Sequence, residues 1–251
     1  MNVNDKYAFF IDIDGTLMAN RVIPEKNYRA IKIAREKGHL VFINTARAKL
    51  SATTVLGKID VDGLICGLGG CIVYNGEKIR SERIAPTELA VLVDRFIEKN
   101  SEFIFEGEEI FIGVNAEWDD FEDLKSGNEF LLKYSDYVIA KACISGTVPE
   151  EEQKYLSERY NFFQHKHYAE FAPKGCSKAD GIDFVCRRFG IDNAHCVAMG
   201  DSANDIDMMK RAGISVAMGN ATDEVKSICT FTTCDAKDGG VAEGILKIIN
   251  K

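Results

Sequence analysis

The chain has 251 residues, 46% hydrophobic and 28% charged, a balance typical of a folded soluble protein that buries a sizeable core. Its 31 basic and 39 acidic side chains give a net charge of −8, so composition provides no electrostatic reason to bind nucleic acid or an anionic membrane. No stretch reaches the roughly 20 apolar residues of a membrane span, and the N-terminal apolar run is too short for a signal peptide, so we expect a cytoplasmic protein.

The first third of the chain alternates apolar strand patterns with helical patterns. The predicted elements are a strand over 7–13, a helix between Pro24 and Gly38, a strand over 40–44, a helix over 48–58 and a strand over 63–66. Because these strands are apolar throughout and separated by helices, they predict a parallel sheet covered on both faces.

The pattern changes after about residue 83. The predicted elements are a helix around 89–97, strands at 103–105 and 110–114, an unclear segment at 117–135, a strand over 137–144, a helix starting near Pro149 and a strand over 162–171. Strands with fewer helices between them favour an α+β insert, and we place it at 84–172.

The alternation of strands and helices resumes near Gly175. The predicted elements are a helix from Ser177 to Gly190, a strand at 196–200, a helix at 204–211, a strand at 214–218 and helices at 222–229 and 241–249. We therefore predict an α/β core domain, formed by 1–83 and 173–251, with a second domain inserted into it.

Eight cysteines are scattered along the chain, with no CxxC pair and no histidines at zinc-ligand spacing. Several, such as Cys66 and Cys196, lie in apolar runs. This distribution favours reduced, mostly buried thiols.

Two carboxylates, Asp12 and Asp14, follow directly after the first strand, and Gly15 then allows the backbone to turn. The carboxyl ends of parallel strands are where ligands bind in such sheets. An isolated pair of this kind more often just ends a strand. However, carboxylates in an apolar strand are costly unless they are paired or bind a metal ion.

A second apolar strand ends in the same way, at Gly200, and is followed by Asp201, Asn204 and Asp205. Asp201 could simply cap the next helix, although capping does not exclude metal binding. Together with the first pair, these carboxylates form an all-oxygen cluster of the type that suits Mg²⁺.

Two further side chains could hold a phosphate group. Thr45 ends the second strand and offers a hydroxyl, while Lys178 lies in the first turn of a helix. A cation there is unfavourable against the helix dipole, which indicates an anion nearby, although many such lysines are merely solvated.

In this order, Asp12 to Thr16, Thr45, Lys178 and Gly200 to Asp205 resemble the four motifs of the haloacid dehalogenase superfamily of phosphohydrolases. The resemblance extends to its Cof-type subfamily along nearly the whole chain, since the segments 173–178, 216–221 and 237–241 are also similar. It implies a Rossmann-like core with an inserted C2 cap domain, and Mg²⁺ as cofactor.

The resemblance also implies roles for individual residues. Asp12 would be the nucleophile and a metal ligand, and Asp14 the general acid and base, binding the metal through its carbonyl group. Thr45, Lys178 and Asn204 would bind the phosphate. The remaining implied metal ligands are Asp201 and Asp205.

The chain departs from the family pattern at two positions. Ala46 stands where glycine is common, which adds a methyl group beside the phosphate site. Leu68-Gly-Gly70 stands where relatives usually have Asn-Gly, which could alter a loop facing the cap. We still expect an active enzyme, because Thr45 is intact.

The family implies a phosphatase acting on small phosphorylated metabolites, with sugar phosphates as the suggested class, as a monomer or weak homo-oligomer. One alternative is a phosphomutase, which needs cap cations that bind a second phosphate; the candidates are Lys125, Lys133, Lys141 and Arg159. Another alternative is a non-catalytic sensor of Mg²⁺ or phosphate. The segment with His165, His167, Tyr168 and Glu170 could line the cleft, but we expect most of these residues on the outer face of a strand.

Overall fold

The computed structural model describes residues 6–57, 59–116 and 122–250. The first part of the chain forms β1 (Ala8–Ile11), α1 (Glu25–Glu36), β2 (Leu40–Asn44), α2 (Lys49–Leu56), β3 (Gly63–Cys66), β4 (Cys71–Tyr74) and β5 (Glu77–Ser81). The middle part forms α3 (Pro86–Glu98), β6 (Phe103–Gly107), β7 (Phe111–Val114), β8 (Glu122–Asp123), α4 (Gly127–Tyr134), β9 (Ile139–Ser145), α5 (Glu150–Arg159), β10 (Tyr160–Gln164) and β11 (Tyr168–Pro173). The last part forms α6 (Lys178–Phe189), β12 (Cys196–Gly200), α7 (Ile206–Arg211), β13 (Ile214–Ala217), α8 (Asp223–Ile228), β14 (Phe231–Thr232) and α9 (Gly240–Ile249).

The first sheet has the strand order β14-β13-β12-β1-β2-β3-β4-β5, and its strands from β14 to β3 run parallel. Helices cover both faces of the middle of this sheet, and its central strands β12, β1 and β3 are apolar and fully buried. Phe9 and Ile11 pack in a cluster with residues of α1, α2 and α9, whereas Ala8 and Phe10 pack with residues of α6, α7 and α8. The predicted α/β core is confirmed.

Two strands of this sheet, β4 and β5, were not predicted, and both run antiparallel to their neighbours. The reversal follows from the three residues Gly67, Leu68 and Gly69, which all have positive φ values, of 57°, 54° and 84°. The chain therefore turns back beside β3 without a crossover helix. Leu68 adopts this conformation despite its side chain, which is buried between the two sheets against Ala172 and Cys176.

The second sheet has the order β10-β11-β9-β6-β7-β8, and its pairs are antiparallel except β7 with β8. The single strand predicted over 162–171 is wrong, because β10 and β11 form a hairpin in this region. Helices α3, α4 and α5 cover one face around an aromatic-rich cluster that includes Phe96, Phe103 and Phe130. Part of the unclear segment, 117–121, lies outside the described residues.

The second sheet follows the α+β pattern expected for the inserted segment, and the fold class is confirmed. The last residue of β11, Pro173, extends past the expected boundary at 172, and the domain limits themselves stay a prediction. All eight cysteines are free thiols, five of them buried. None of the described helices has the length and apolar character needed to cross a membrane.

Candidate active site

The strand ends carrying the two acidic motifs lie side by side. β1 and β12 are parallel neighbours with Ile11 opposite Met199, and the N–H group of Asp12 donates to the Met199 carbonyl at 3.0 Å. The residues that follow each strand therefore leave the sheet at the same point. This arrangement brings Asp12 and Asp201 together, although 188 positions separate them in the sequence.

Three carboxylates, from Asp12, Asp201 and Asp205, form what we call the carboxylate cluster, in which one oxygen from each lies within 4.8 Å of the others. Asp12 and Asp205 are buried. Burial raises the pKa of Asp12 to about 7, against the opposing effect of Lys178, and burial also raises the pKa of Asp201 to about 6. These shifts mean that burial disfavours the ionised forms of Asp12 and Asp201.

Lys178 is the cation closest to this cluster. It is the first residue of α6, after Ser177, whose hydroxyl caps the helix by accepting from the N–H of Asp180. The Lys178 ammonium donates to Asp12 Oδ1 at 2.7 Å and to Asp205 Oδ1 at 2.6 Å. Burial alone would lower its pKa, but the two carboxylates raise it. The unfavourable position of this cation at a helix N-terminus is therefore offset by two anions.

Asp201 is held by the loop that follows β1. The Thr16 hydroxyl donates to Asp201 Oδ1 at 2.8 Å. Gly15 has a φ of +79°, and a Cβ atom at this position would lie 2.3 Å from Asp201 Oδ2. The glycine is thus required both for its backbone conformation and for this close approach. Thr16 was not among the predicted site residues, although it belongs to the first motif.

Asp205 organises the loop after β12. Its Oδ2 accepts hydrogen bonds from the N–H groups of Asp201 and Ser202, at 2.9 and 3.1 Å. Asn204 lines the cavity, and its Oδ1 accepts from the Ser202 hydroxyl at 2.7 Å. Both oxygens of Asp205 therefore already have donors within the chain, which makes this residue a support for Asp201 and Lys178.

Asp14 lies apart from the carboxylate cluster. Its side chain is 52% exposed and accepts two hydrogen bonds from Arg47, at 2.6 and 2.8 Å. Arg47 also donates to Ser51, and its N–H donates to the buried hydroxyl of Thr45 at 3.2 Å. Arg47 was not among the predicted site residues, although it lies two residues after Thr45.

A cavity of about 430 Å³ lies between the two sheets. Its core side is lined by the predicted residues Asp12, Asp14, Thr45 and Asn204, with Ala46, Arg47, Ser51 and Ser202. Its other side is what we call the cap wall, formed by Glu106, Lys141, Cys143, Tyr168 and Glu170. Asp14, Thr45 and Asn204 thus face side chains of the second sheet, whereas Lys178, also predicted to bind phosphate, lies buried beside Asp12.

We expected most of the four residues His165, His167, Tyr168 and Glu170 on an outer face, and this expectation is wrong for Tyr168 and Glu170. Tyr168 and Glu170 line the cavity, and the His165 ring lies 3.0 Å from Glu170 Oε1. The side chains of β11 point alternately to the two faces of the second sheet. Ala169 is buried in the aromatic cluster, and its neighbours lie on the face towards the core.

Of the four cations that a phosphomutase could use, one lines the cavity, and this is Lys141. Lys125 and Lys133 form ion pairs with Asp123 and Glu129, and Arg159 stacks on a tyrosine ring at the end of α5. The second phosphate site that a phosphomutase requires is therefore not assembled from these four residues.

Ala46 packs in the boundary between core and cap. Its side chain contacts the small cluster of Leu68, Ala172 and Cys176. The methyl group that replaces the usual glycine hydrogen is thus partly accommodated by the other departure from the family pattern, Leu68. Both substitutions lie where the two sheets meet.

The chemistry of the carboxylate cluster fits a divalent cation. Its three carboxylates face a single ammonium group, so a negative charge surplus is buried there. Oxygen ligands of this type are those that Mg²⁺ prefers. The Asp14 carboxylate is not part of the cluster, and its role as a ligand through the carbonyl group stays a prediction.

Comparison with known proteins gives consistent results. A family model described as haloacid dehalogenase-like hydrolase matches residues 9–245. The 5-amino-6-(5-phospho-D-ribitylamino)uracil phosphatase YwtE of Bacillus subtilis is 27% identical, over 96% of this chain and 97% of its own. The phosphoglycolate phosphatase of Sulfolobus acidocaldarius is 25% identical, over 95% and 94%. The solved structure of the HAD subclass IIB sugar phosphatase BT4131 aligns with a TM-score of 0.81 and 26% identity, over 98% and 99%.

Proposed function

The chain belongs to the haloacid dehalogenase-like hydrolases, and from this membership we propose that it is a magnesium-dependent phosphatase that hydrolyses small phosphate monoesters, sugar phosphates in particular. The enzyme class, a phosphoric monoester hydrolase, is confirmed by the family and by relatives named as phosphatases. The observation that carries the proposal is the position of Asp12, which lines the cavity beside Lys178 and Asp201.

In the proposed first step, a carboxylate oxygen of Asp12 attacks phosphorus, and the bond between phosphorus and the leaving oxygen breaks. Splitting the reaction in this way replaces one difficult step with two easier ones. Lys178 supports the attack of one anion on another, because its ammonium group lies between Asp12 and Asp205 and can balance charge on the phosphoryl oxygens. Thr45 and Asn204 line the same cavity and would orient those oxygens.

Asp14 is the proposed proton carrier. It would donate a proton to the leaving alkoxide and later accept one from the water that attacks the phosphorylated Asp12. Its two hydrogen bonds with Arg47 hold the carboxyl group on the open side of the cavity, where a leaving group would lie. The second step releases inorganic phosphate and restores the Asp12 carboxylate.

The proposed Mg²⁺ ligands are Asp12 and Asp201, with Asp14 through its carbonyl group and Asp205 as further candidates. When bound, the ion would stabilise negative charge on the phosphoryl oxygens and reduce its repulsion by the nucleophile.

The test is a panel of phosphate monoesters assayed for released phosphate, with Mg²⁺ and with EDTA, using the wild type, Asp12→Asn and the control Asp60→Asn. Asp60 is an exposed carboxylate that pairs with Arg35 on the protein surface. We expect activity that requires Mg²⁺, loss of turnover in Asp12→Asn with unchanged circular dichroism, and normal turnover in the control. Full turnover in Asp12→Asn would show that the reaction does not need this carboxylate. Full turnover in EDTA would show that it does not need a metal ion.

A further inference from the structure

The cap wall is assembled from three neighbouring strands of the second sheet. Glu106 on β6 is the register partner of Lys141 on β9, and Cys143, also on β9, is the partner of Glu170 on β11. Because alternate residues of a strand point to the same face, these side chains project together from the face opposite the aromatic cluster. They therefore present one continuous polar surface to the cavity.

Lys141 is buried within this surface and its charge is already balanced. Its ammonium group lies 2.5 Å from Glu170 Oε2 and 3.4 Å from Glu106 Oε1. The other oxygen of Glu170 lies 3.0 Å from His165 Nε2. Burial opposes the ionisation of both groups. The carboxylates of Glu106 and Glu170 nevertheless raise the pKa of Lys141, and the Lys141 ammonium lowers the pKa of Glu170 to about 2.

Glu106 is the more accessible carboxylate of the wall, with 16% of its side chain exposed. Its Oε1 accepts a hydrogen bond from the Cys143 thiol at 2.9 Å and also lies 3.4 Å from the Lys141 ammonium group. Its Oε2 has no hydrogen-bond partner among the residues that the structure describes. An acceptor and a charged donor thus lie next to each other on the wall facing Asp14.

We propose that Glu106 and Lys141 form the subsite for the leaving group, that this subsite binds a neutral polyhydroxyl group, and that it discriminates against a leaving group carrying a second anion. The inference rests on the proposed phosphatase function and specifies its substrate class. A carboxylate and an ammonium group at this spacing can bind two adjacent hydroxyls, one as donor and one as acceptor. An added anion meets two carboxylates and an ammonium group that is already paired.

The names of the relatives include both types of leaving group, neutral and anionic. Their names include a phosphatase whose substrate has a ribityl chain and a phosphoglycolate phosphatase, whose substrate carries a carboxylate. The charges of the cap wall in this chain favour the first type. Two carboxylates against one ammonium group leave the wall with a negative surplus.

The test compares two substrates that differ only at the far end of a six-carbon chain. Sorbitol 6-phosphate ends in a hydroxymethyl group, whereas 6-phosphogluconate ends in a carboxylate. We expect kcat/KM for sorbitol 6-phosphate to be at least about tenfold higher, because one unit charge about 4 Å away changes a binding constant by between about fivefold in water and about a thousandfold near a protein surface. This preference should decrease as ionic strength rises, because salt screens the charge of a partly exposed carboxylate.

The Glu106→Gln variant keeps the shape of the side chain and removes its charge. We expect it to lower the preference by about fivefold or more, mainly through a higher kcat/KM for 6-phosphogluconate. The change in kcat/KM for p-nitrophenyl phosphate, which has no free hydroxyl or second anion in its leaving group, should be smaller than the change for 6-phosphogluconate. The matched control Glu158→Gln, an exposed residue of α5, should leave all three substrates unchanged.

The outcomes separate the two proposals. If the wild type hydrolyses none of the three esters, the proposed function falls, and this inference with it. If p-nitrophenyl phosphate is hydrolysed but the wild type prefers 6-phosphogluconate, the inference alone is overturned. Equal losses on all three substrates in Glu106→Gln would also overturn it, because they would show a structural role. The wild-type preference and its salt dependence test the proposal even if the variant does not fold.

Discussion

Replacing Lys178 with methionine removes the one charge that two buried carboxylates share. The Lys178 ammonium lies 2.7 Å from Asp12 and 2.6 Å from Asp205, and each of the three side chains is at most 5% exposed. Breaking a buried ion pair costs about 3–5 kcal/mol, because the remaining charge is left without compensation. Here one of the two carboxylates can take up a proton, which limits the loss. We therefore expect the free energy of unfolding in EDTA at neutral pH to fall by about 3 kcal/mol, the lower end of this range.

The assay is urea denaturation in EDTA, followed by circular dichroism, for the wild type and Lys178→Met. The control is Lys32→Met, which changes a lysine that is 73% exposed and lies 3.8 Å from Glu36 on α1. Because exposed pairs of this kind contribute little, the control should stay within about 0.5 kcal/mol of the wild type. Adding Asp12→Asn to Lys178→Met should recover part of the loss, since it removes one of the uncompensated charges.

A Lys178→Met protein that unfolds at the same urea concentration as the wild type would refute this reasoning. So would a double variant that is less stable than Lys178→Met, since removing a carboxylate should then relieve repulsion. Turnover provides a second measurement. If Lys178 stabilises charge on the phosphoryl group as proposed, kcat should fall by about 10²–10³ in Lys178→Met, and unchanged turnover would contradict that role.

Three other changes test separate parts of the site. Arg47→Lys should lower kcat by about tenfold or more because it loses the two-point contact that orients Asp14, and normal kcat would show that the contact is dispensable. Glu170→Gln should lower the free energy of unfolding at pH 7 by about 3 kcal/mol. Because the pKa of this carboxyl is lowered in the folded protein, the difference from the wild type should shrink as the pH falls from about 4.5 to 2. A difference that does not change with pH during acid denaturation would contradict this assignment. Gly15→Ala should abolish turnover by displacing Asp201, from which its Cβ would lie 2.3 Å, and an active variant would show that the loop can move.

The sequence predicted the strand ends of the core well because local chemistry determines them. The apolar runs before Asp12 and Asp201 can be stable only as buried strands, and the carboxylates and glycines after them end those strands. The order of strands and helices then requires a parallel sheet, in which such ends meet at one edge. The geometry around Lys178 follows the same logic, since a cation at a helix N-terminus needs a nearby anion.

The parts that sequence reasoning missed depend on contacts between distant segments. The bond between Arg47 and Asp14 joins two loops, and no local pattern distinguishes this arginine from a solvated one. The hairpin of β10 and β11 lies where the sequence predicts one strand, because its turn at residues 165–167 contains no glycine, proline, asparagine or aspartate to mark it. The inward direction of Glu170 depends on which face of β11 packs against the aromatic cluster. Which face packs there depends on the pairing of all the strands in the second sheet.

The two buried lysines of the site show why its two sides serve different purposes. Lys178 is the one ammonium group paired with the carboxylate cluster, so the core side holds a surplus of two negative charges in a largely buried region when all three carboxylates are ionised. A surplus of that size in a buried place is stable only with a divalent cation or with protonation.

Lys141 faces Glu106 and Glu170, which leaves a surplus of one negative charge on a wall that opens to the cavity. Water or substrate hydroxyls are sufficient to solvate it. The same arrangement of one lysine between two carboxylates therefore favours a metal ion on the core side and a neutral polyhydroxyl group on the cap side.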